Sequence, residues 1–315
     1  MKANFKHDSV LPEEVIGAMN IRADGVYVDG TFGRGGHARA ILACLDSKGK
    51  LIVLDKDPQA IEFAHETLGS DPRVSIIYDD FDSLDTHLKA LGLDQKIDAV
   101  LLDLGVSSPQ LDDGSRGFSF KNNGPLDMRM DRERGISAAV WLKSADEKEI
   151  ARVLWELGEE RQSRKIARRI IEARVLEPIT TTAQLASLIQ EVVPASRKPG
   201  SKHPATRSFQ AIRIHINQEL DHIVRFLDSI FDVLEIGGRL LVISFHSLED
   251  RIVKRFIRNL STPARLPKGM PIRDIDRIDQ IRLKAIGKAV KAGALELSAN
   301  PRARSAVLRI AERIA

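Results

Sequence analysis

Asp29, Asp55 and Asp103 each close a short apolar run, and Asp79-Asp80-Phe81-Asp82 follows another. The first of these acids opens into Gly30-Thr31-Phe32-Gly33-Arg34-Gly35-Gly36-His37. Glycine is needed where a backbone takes positive φ or must lie close to a ligand, and a helix starting after such a turn directs free N–H groups at whatever the turn holds. The order G-x-x-G-x-G-G differs from the G-x-G-x-x-G of a pyrophosphate loop, and no G-K-[ST] follows to make a P-loop. A carboxylate at the mouth of the turn repels a diphosphate and attracts a cation. S-adenosylmethionine, with its sulfonium and α-ammonium, suits that field, whereas a glycine cluster taken alone also reads as a tight turn with no ligand. Asp55, about twenty residues past the glycines, stands where an acid accepts the ribose hydroxyls of an adenosine, in NAD as well as in S-adenosylmethionine. Phe81 and Asp82 could flank an adenine, although Asp80 or Asp82 could equally cap the next helix.

These residues need a doubly wound frame to bring them together. The apolar runs at Val26–Val28, Lys50–Asp55, Arg73–Tyr78 and Ile97–Leu104 read as strands. Helices are expected through Ala38–Leu45, Pro58–Leu68 and Ser83–Leu91. In open α/β sheets, ligands gather outside the carboxyl ends of the strands, where Asp29, Asp55, Asp82 and Asp103 all fall. After Pro109 the pattern changes. Asp112–Arg134 reads as a long ordered or lid-like loop, and helical spacing follows in Ala138–Leu142, Asp146–Leu157, Gln162–Val175 and Thr182–Val192. A basic Pro/Gly/Ser loop at Pro194–Pro204 ends this all-α insertion. One helix is then expected from Thr206 to about Leu234, with a strand over Arg239–Phe245 and a helix over Leu248–Ile257. Leu283–Val290 and Ser305–Ala311 are candidate closing strands of an antiparallel hairpin. The expected organisation is a methyltransferase-type domain in two parts, 1–108 and 206–315, with an inserted helical substrate-recognition domain over 109–205.

At 315 residues with 43% hydrophobic composition, the chain has enough material for more than one average domain and a substantial core. The formal charge of +4 and pI near 9.1 favour an anionic partner without specifying one. Arg161, Arg164, Lys165, Arg168 and Arg169 crowd two helical turns, and Arg197, Lys198, Lys202 and Arg207 follow on the return segment. Both groups suit the phosphates of an anionic partner, and a solvated face stapled by pairs such as Glu160 with Arg164 is the alternative. The single Cys44 leaves no disulfide or cysteine-based zinc site. The N-terminus lacks an apolar signal core and no run is long enough to span a bilayer, so a soluble cytoplasmic protein is expected. His203, His215, His222 and His246 show no metal-ligand spacing, so no metal is expected, and His246 reads as a strand-end histidine or a contact to a base.

With these segments assembled, the sequence resembles the bacterial ribosomal RNA small-subunit methyltransferase H family, also called MraW, over almost its whole length. The matching stretches are His7-Asp8-Ser9-Val10-Leu11, the Asp29–His37 loop, Asp103–Asp112, Gly124–Met130, His203–Ala211, Ser244–Arg251 and Asn300–Ala306. The resemblance implies a Rossmann-like class I methyltransferase fold, mostly parallel with an antiparallel closing strand, plus the all-α insertion. It implies S-adenosylmethionine-dependent methylation of the exocyclic N4 amine of a cytidine in the decoding region of 16S ribosomal RNA. The RNA would be met within the small subunit or a late assembly intermediate, and a homodimer is left open. By the same resemblance Gly35, Gly36, His37, Asp55, Phe81, Asp103 and Gln110 are the cofactor contacts. Amino-methyltransferases commonly carry [DNS]-P-P-[FYW] after the fourth strand, where a side-chain oxygen and a carbonyl grip the amine. Ser108-Pro109-Gln110-Leu111 lacks the second proline and the aromatic, so the catalytic acceptor is Ser108 or Asp103 and the base-stacking partner is unnamed. A nucleotide-dependent oxidoreductase and a non-catalytic RNA-binding assembly factor are the competing readings.

Overall fold

A computed structural model describes residues 9–194, 203–263 and 281–315. In chain order the elements are α1 (Pro12–Met19), β1 (Val26–Asp29), α2 (Gly36–Leu42), β2 (Lys50–Asp55), α3 (Pro58–Leu68), β3 (Val74–Tyr78), α4 (Leu84–Ala90) and β4 (Ile97–Asp103). The helical stretch follows with α5 (Ser108–Asp112), α6 (Ala138–Ser144), α7 (Glu147–Gly158), α8 (Ser163–Leu176), α9 (Thr182–Val192) and α10 (Thr206–Ile216). Then come α11 (Glu219–Val233), β5 (Leu234–Ser244), α12 (Ser247–Ser261), β6 (Leu283–Ala285) and β7 (Val307–Arg313). The chain divides into a sheet unit, 1–105 with 220–315, and a helical unit, Val106–Glu219.

In the sheet unit, seven strands run in the order β3-β2-β1-β4-β5-β7-β6. The first five are parallel; β7 is antiparallel to both β5 and β6. Alternation along the strands feeds two apolar layers. Tyr27, Leu51, Val53, Ala99, Leu101 and Leu241 pack on one face with α1, α2 and α3. Val28, Ile52, Leu54, Val100, Leu102 and Val242 pack on the other with α4, α11 and α12. Burial on both faces is what makes these runs near-continuously hydrophobic. The register sets the chemistry. Asp29 pairs with Val53 on β2 and with Leu101 on β4, so Asp55 and Asp103 each lie two residues beyond, on either side of the β1 tip.

Three expectations change. The single helix over 206–234 is two helices, because Gln218 takes φ 50 and Asn217 is pinned. The Asn217 amide donates to the Met128 carbonyl (2.8 Å) and accepts from the Met130 N–H (2.7 Å). The first helix, α10, buries Phe209, Ala211 and Ile212 in the helical core, which puts the boundary between the units at 219/220 instead of 205/206. In the closing region, β6 stops at Ala285; a helix (Ala294–Ala299) and a 3-10 turn (Pro301–Ser305) precede β7.

In the helical unit, α6 to α10 enclose a core built on Trp141, Leu154, Ile166, Ile170, Leu185 and Phe209. The segment before it is ordered by polar contacts rather than periodicity. Arg116 is fully buried, and its guanidinium donates to the carbonyls of Arg129 (3.2 Å) and Met130 (2.8 Å). Of the basic return loop, Arg197, Lys198 and Lys202 lie outside the described residues, as do His7 and Asp8 of the first motif. No helix among the described residues is long and apolar enough to cross a membrane.

Candidate active site

The β1–α2 loop owes its shape to its glycines. Gly33 and Gly35 hold φ of 55 and 69, left-handed values that a side chain resists. The backbone is also crowded. A Cβ on Gly30 would sit 2.5 Å from a Leu102 methyl and one on Gly35 2.6 Å from the Phe32 ring, while one on Gly36 would collide with the Ser9 hydroxyl. Turn geometry and packing beneath the loop therefore account for these residues. The loop is tied to the neighbouring strands by Gly30 N–H to the Leu101 carbonyl (2.9 Å) and Phe32 N–H to the Leu54 carbonyl (2.9 Å).

Asp55 holds the far side of the turn. Its two carboxylate oxygens accept from the N–H groups of Asp57 and Gly33, both at 2.8 Å. Each oxygen keeps a second lone pair for a hydroxyl donor. Burial pushes its pKa up to about 6 against the pull of those two N–H groups.

Asp29, His37 and Asp103 form the centre. Asp29 is only 1% exposed and accepts from the Thr31 N–H at 3.2 Å. Thr31 Oγ1 accepts from the Asp103 N–H at 2.6 Å, fixing the end of β4 against the loop. His37 Nε2 stands 3.7 Å from Asp103 Oδ2, an ion-pair distance. Burial lowers the His37 pKa, but the Asp103 carboxylate, with Asp29 and Glu296, outweighs it and the net shift is upward. Among the described residues, both ring nitrogens of His37 and Asp103 Oδ1 are buried without a hydrogen-bond partner. Orphaned buried polar atoms are costly and point to a missing partner. A cation or an N–H donor fits an unpartnered carboxylate oxygen, so the residues present suit a sulfonium and ammonium compound.

Phe81 lies in the 3-10 turn Phe81–Ser83, its ring edge-on to Phe226 (5.8 Å) and His222 (6.2 Å). Asp82 anchors this turn to α11. Its Oδ2 accepts from Arg225 Nε (2.6 Å) and lies 3.0 Å from His222 Nδ1. Burial alone would raise Asp82, yet the His222 and Arg225 bonds hold it at about 2. Asp82 is thus committed to the protein, and Asp80 pairs with Lys56 at 2.8 Å. The atoms of Asp80, Asp82 and His222 converge like metal ligands, but Lys56 and Arg225 already supply cations to those carboxylates.

In the helical unit, Gln110 is buried and turned back on its own helix, its Oε1 accepting from the Ser107 N–H at 2.9 Å. Ser108 is the first residue of α5, ahead of Pro109. Reasoning from the sequence assembled Asp29, His37, Asp55 and Asp103, and overlooked Thr31 and the His222–Arg225 clamp. Thr31 sat inside the glycine loop; the clamp is contributed from well over a hundred residues away, where periodicity has no reach.

The raised Asp29 pKa has a stability consequence. With the folded value near 6 against 3.8, the neutral acid is the form the fold favours. Its contribution is complete below 3.8 and is lost as pH rises through 6. Asp29→Asn, fixed neutral, is expected to be more stable than wild type at pH 8 by up to about 3 kcal/mol, with the gap closing towards pH 4.5. Urea midpoints at the two pH values check this, and parallel pH trends in both proteins would refute the buried-acid account.

Comparison with known proteins is consistent with these features. The model of the MraW methylase family matches residues 4–314. A protein of Thioalkalivibrio sulfidiphilus (strain HL-EbGR7), named ribosomal RNA small subunit methyltransferase H, is 55% identical over 309 residues, 98% of each chain. Among solved structures, an rRNA methylase from Streptococcus thermophilus superposes with a TM-score of 0.39 at 13% identity, covering 96% of this chain and 95% of that one. A SAM-dependent O-methyltransferase from Thermotoga maritima gives 0.41 at 11% identity, covering 99% and 69%. The sequence matches, rather than these loose superpositions, decide the relationship: the chain belongs to the MraW methylase family.

Proposed function

We propose that the chain methylates the exocyclic N4 amine of a cytidine in the decoding region of 16S ribosomal RNA, acting on the small subunit or a late assembly intermediate. As a methylase of this family it takes its methyl group from S-adenosylmethionine. The observation that carries the reading is the gathering of Asp29, Asp55 and Asp103 at the carboxyl ends of adjacent parallel strands, with Asp103 Oδ1 buried and without a hydrogen-bond partner among the described residues. Such a field suits a cationic cofactor and repels a diphosphate.

When bound, S-adenosylmethionine supplies an electrophilic methyl group. Asp55 would accept from the ribose hydroxyls, Phe81 would border the adenine, and the Gly33–His37 backbone would line the methionine end. Gln110 shapes the start of α5 through its bond to Ser107. A cytosine amine shares its lone pair with the ring, so it must be held pyramidal and in line to react. Asp103 Oδ1 accepts an amine N–H and then holds the proton that the alkylated nitrogen sheds. His37 Nε2 faces the other oxygen of that carboxylate, 3.7 Å from Oδ2. Ser108, five residues on, is the second candidate for gripping the amine.

The test is label transfer from methyl-labelled S-adenosylmethionine to free 16S RNA and to isolated small subunits, followed by mapping of the modified nucleotide, with an NAD titration in parallel. Label on a cytidine N4 is expected. An RNA that stays unlabelled removes the methylase reading; label on another atom removes the N4 assignment.

A further inference from the structure

We infer that the outer side of the α7–α8 pair is a binding surface for a single-stranded stretch of the RNA substrate, with Trp155 as its stacking platform and Arg164 and Arg168 as its phosphate contacts. This rests on the reading of the chain as an RNA methylase given above.

The helices are antiparallel neighbours joined through Glu159–Gln162, and they pack against each other. Their inner sides are apolar: Ile150, Val153 and Leu154 on α7, and Ile166, Ala167 and Ile170 on α8. The outer sides are charged, and one contact fixes their relation. Arg168 Nε lies 3.8 Å from Glu147 Oε1, with the two side chains 70% and 44% exposed, so these faces meet at the surface. Arg164 lies one turn before Arg168 on the same exposed face, and so one turn nearer the Trp155 end of α7. Lys148, Arg152 and Trp155 recur at helical spacing on the exposed side of α7.

Trp155 is 58% exposed, with Arg152 one turn before it on the same exposed side of α7. A lone exposed aromatic is ordinary; one bordered by arginines about one turn apart has the make-up of a single-strand binding surface. Every base offers a π-face to stack, and the neighbouring phosphates are met by the guanidinium groups. The sequence alternative was a face neutralised by its own carboxylates. Among the described residues Arg164 has no ion-pair or hydrogen-bond partner, and Glu160, its expected partner, is buried and accepts from the Gln162 N–H instead (2.9 Å). Arg169 differs, being tied to Glu191 at 2.6 Å, and is left out of the surface. The pairs Arg168–Glu147 and Arg152–Glu156 (2.8 Å) are exposed and cost little to exchange for phosphate. Phosphate also distinguishes the occupant: an acidic protein would use the arginines but gain nothing from base stacking on Trp155.

The chain has two tryptophans, and Trp141 is buried with its Nε1–H on Glu149 (3.0 Å), so quenchable emission reports on Trp155. Small-subunit ribosomal RNA is expected to quench that emission. Trp155→Ala should weaken RNA binding roughly 5- to 100-fold, while Trp155→Phe, which keeps a ring to stack, should retain most of it. Arg164→Glu with Arg168→Glu should lower the log-log salt slope by about one per lost phosphate contact. All three proteins should bind S-adenosylmethionine as wild type does. If wild type methylates the RNA but these variants keep wild-type RNA affinity and salt slope, the surface is only solvated and the inference falls. Equal losses in Trp155→Ala and Trp155→Phe, with no quenching by RNA, would assign the surface to a protein contact and also overturn it. Failure of wild type to methylate RNA is a separate result, which removes the functional reading itself.

Discussion

Asp55→Ala is expected to raise the dissociation constant for S-adenosylmethionine by at least about 10²-fold. Two charge-assisted hydrogen bonds to the ribose would be lost, each worth roughly 1.5–3 kcal/mol. The same change strips the acceptors from the Gly33 and Asp57 N–H groups, so the glycine turn loses its tether to β2. Both effects act on cofactor affinity in one direction. The pH dependence separates this residue from a merely structural one. Burial holds Asp55 at about 6, and the ionised form is the one with acceptor capacity for two hydroxyls. Wild-type affinity should therefore fall by about tenfold per pH unit below 6 for this group, on top of whatever Asp29 contributes. The Asp55→Ala protein should lack the Asp55 part of that slope. Isothermal calorimetry from pH 5 to 8 measures both, and a folded mutant with wild-type affinity at pH 8 would remove Asp55 from the cofactor site.

Much of this geometry was legible because parallel strands buried on both faces leave a strong imprint. Lys50–Asp55 and Pro58–Leu68 were read with the bounds the structure shows, since an apolar run and an Asp-Pro helix start are local signals. The break at Asn217 was hidden for the opposite reason. Gln218 carries no glycine or proline to mark its left-handed turn, and Asn217 is pinned by carbonyl and N–H groups of Met128 and Met130, far back in the chain. The site divides along the same line. Aspartates at strand tips announce themselves by position, because a strand's end is local. That Asp82 is spent on His222 and Arg225, while Phe81 packs half-buried against Phe226, depends on a helix more than a hundred residues later. Gln110 shows a third case: its capping bond to Ser107 is encoded in the S-x-x-Q spacing, whereas its role as a cofactor contact comes from the family resemblance alone.

The choice between Asp103 and Ser108 is the sharper test of mechanism. Asp103 has one oxygen facing His37 and one buried oxygen without a partner among the described residues, at the tip of a strand whose N–H is fixed by Thr31. An acceptor held this way needs no reorganisation when the amine loses planarity, so its benefit is realised in the transition state. Asp103→Asn keeps the volume and one acceptor but removes the charge, and the orphaned His37 loses the carboxylate that contributes most to its raised pKa. At saturating cofactor and RNA, single-turnover methyl transfer should slow by about 10²- to 10³-fold. Ser108→Ala should slow it less, because a neutral hydroxyl forms a weaker hydrogen bond than a carboxylate. Cofactor affinity separates the two roles of Asp103. A carboxylate that mainly holds the methionine ammonium would give a raised dissociation constant and a nearly normal rate at saturation; one that grips the amine gives the reverse. A normal rate in Asp103→Asn together with a large loss in Ser108→Ala would transfer the acceptor role to Ser108 and leave Asp103 as part of the cofactor's electrostatic field.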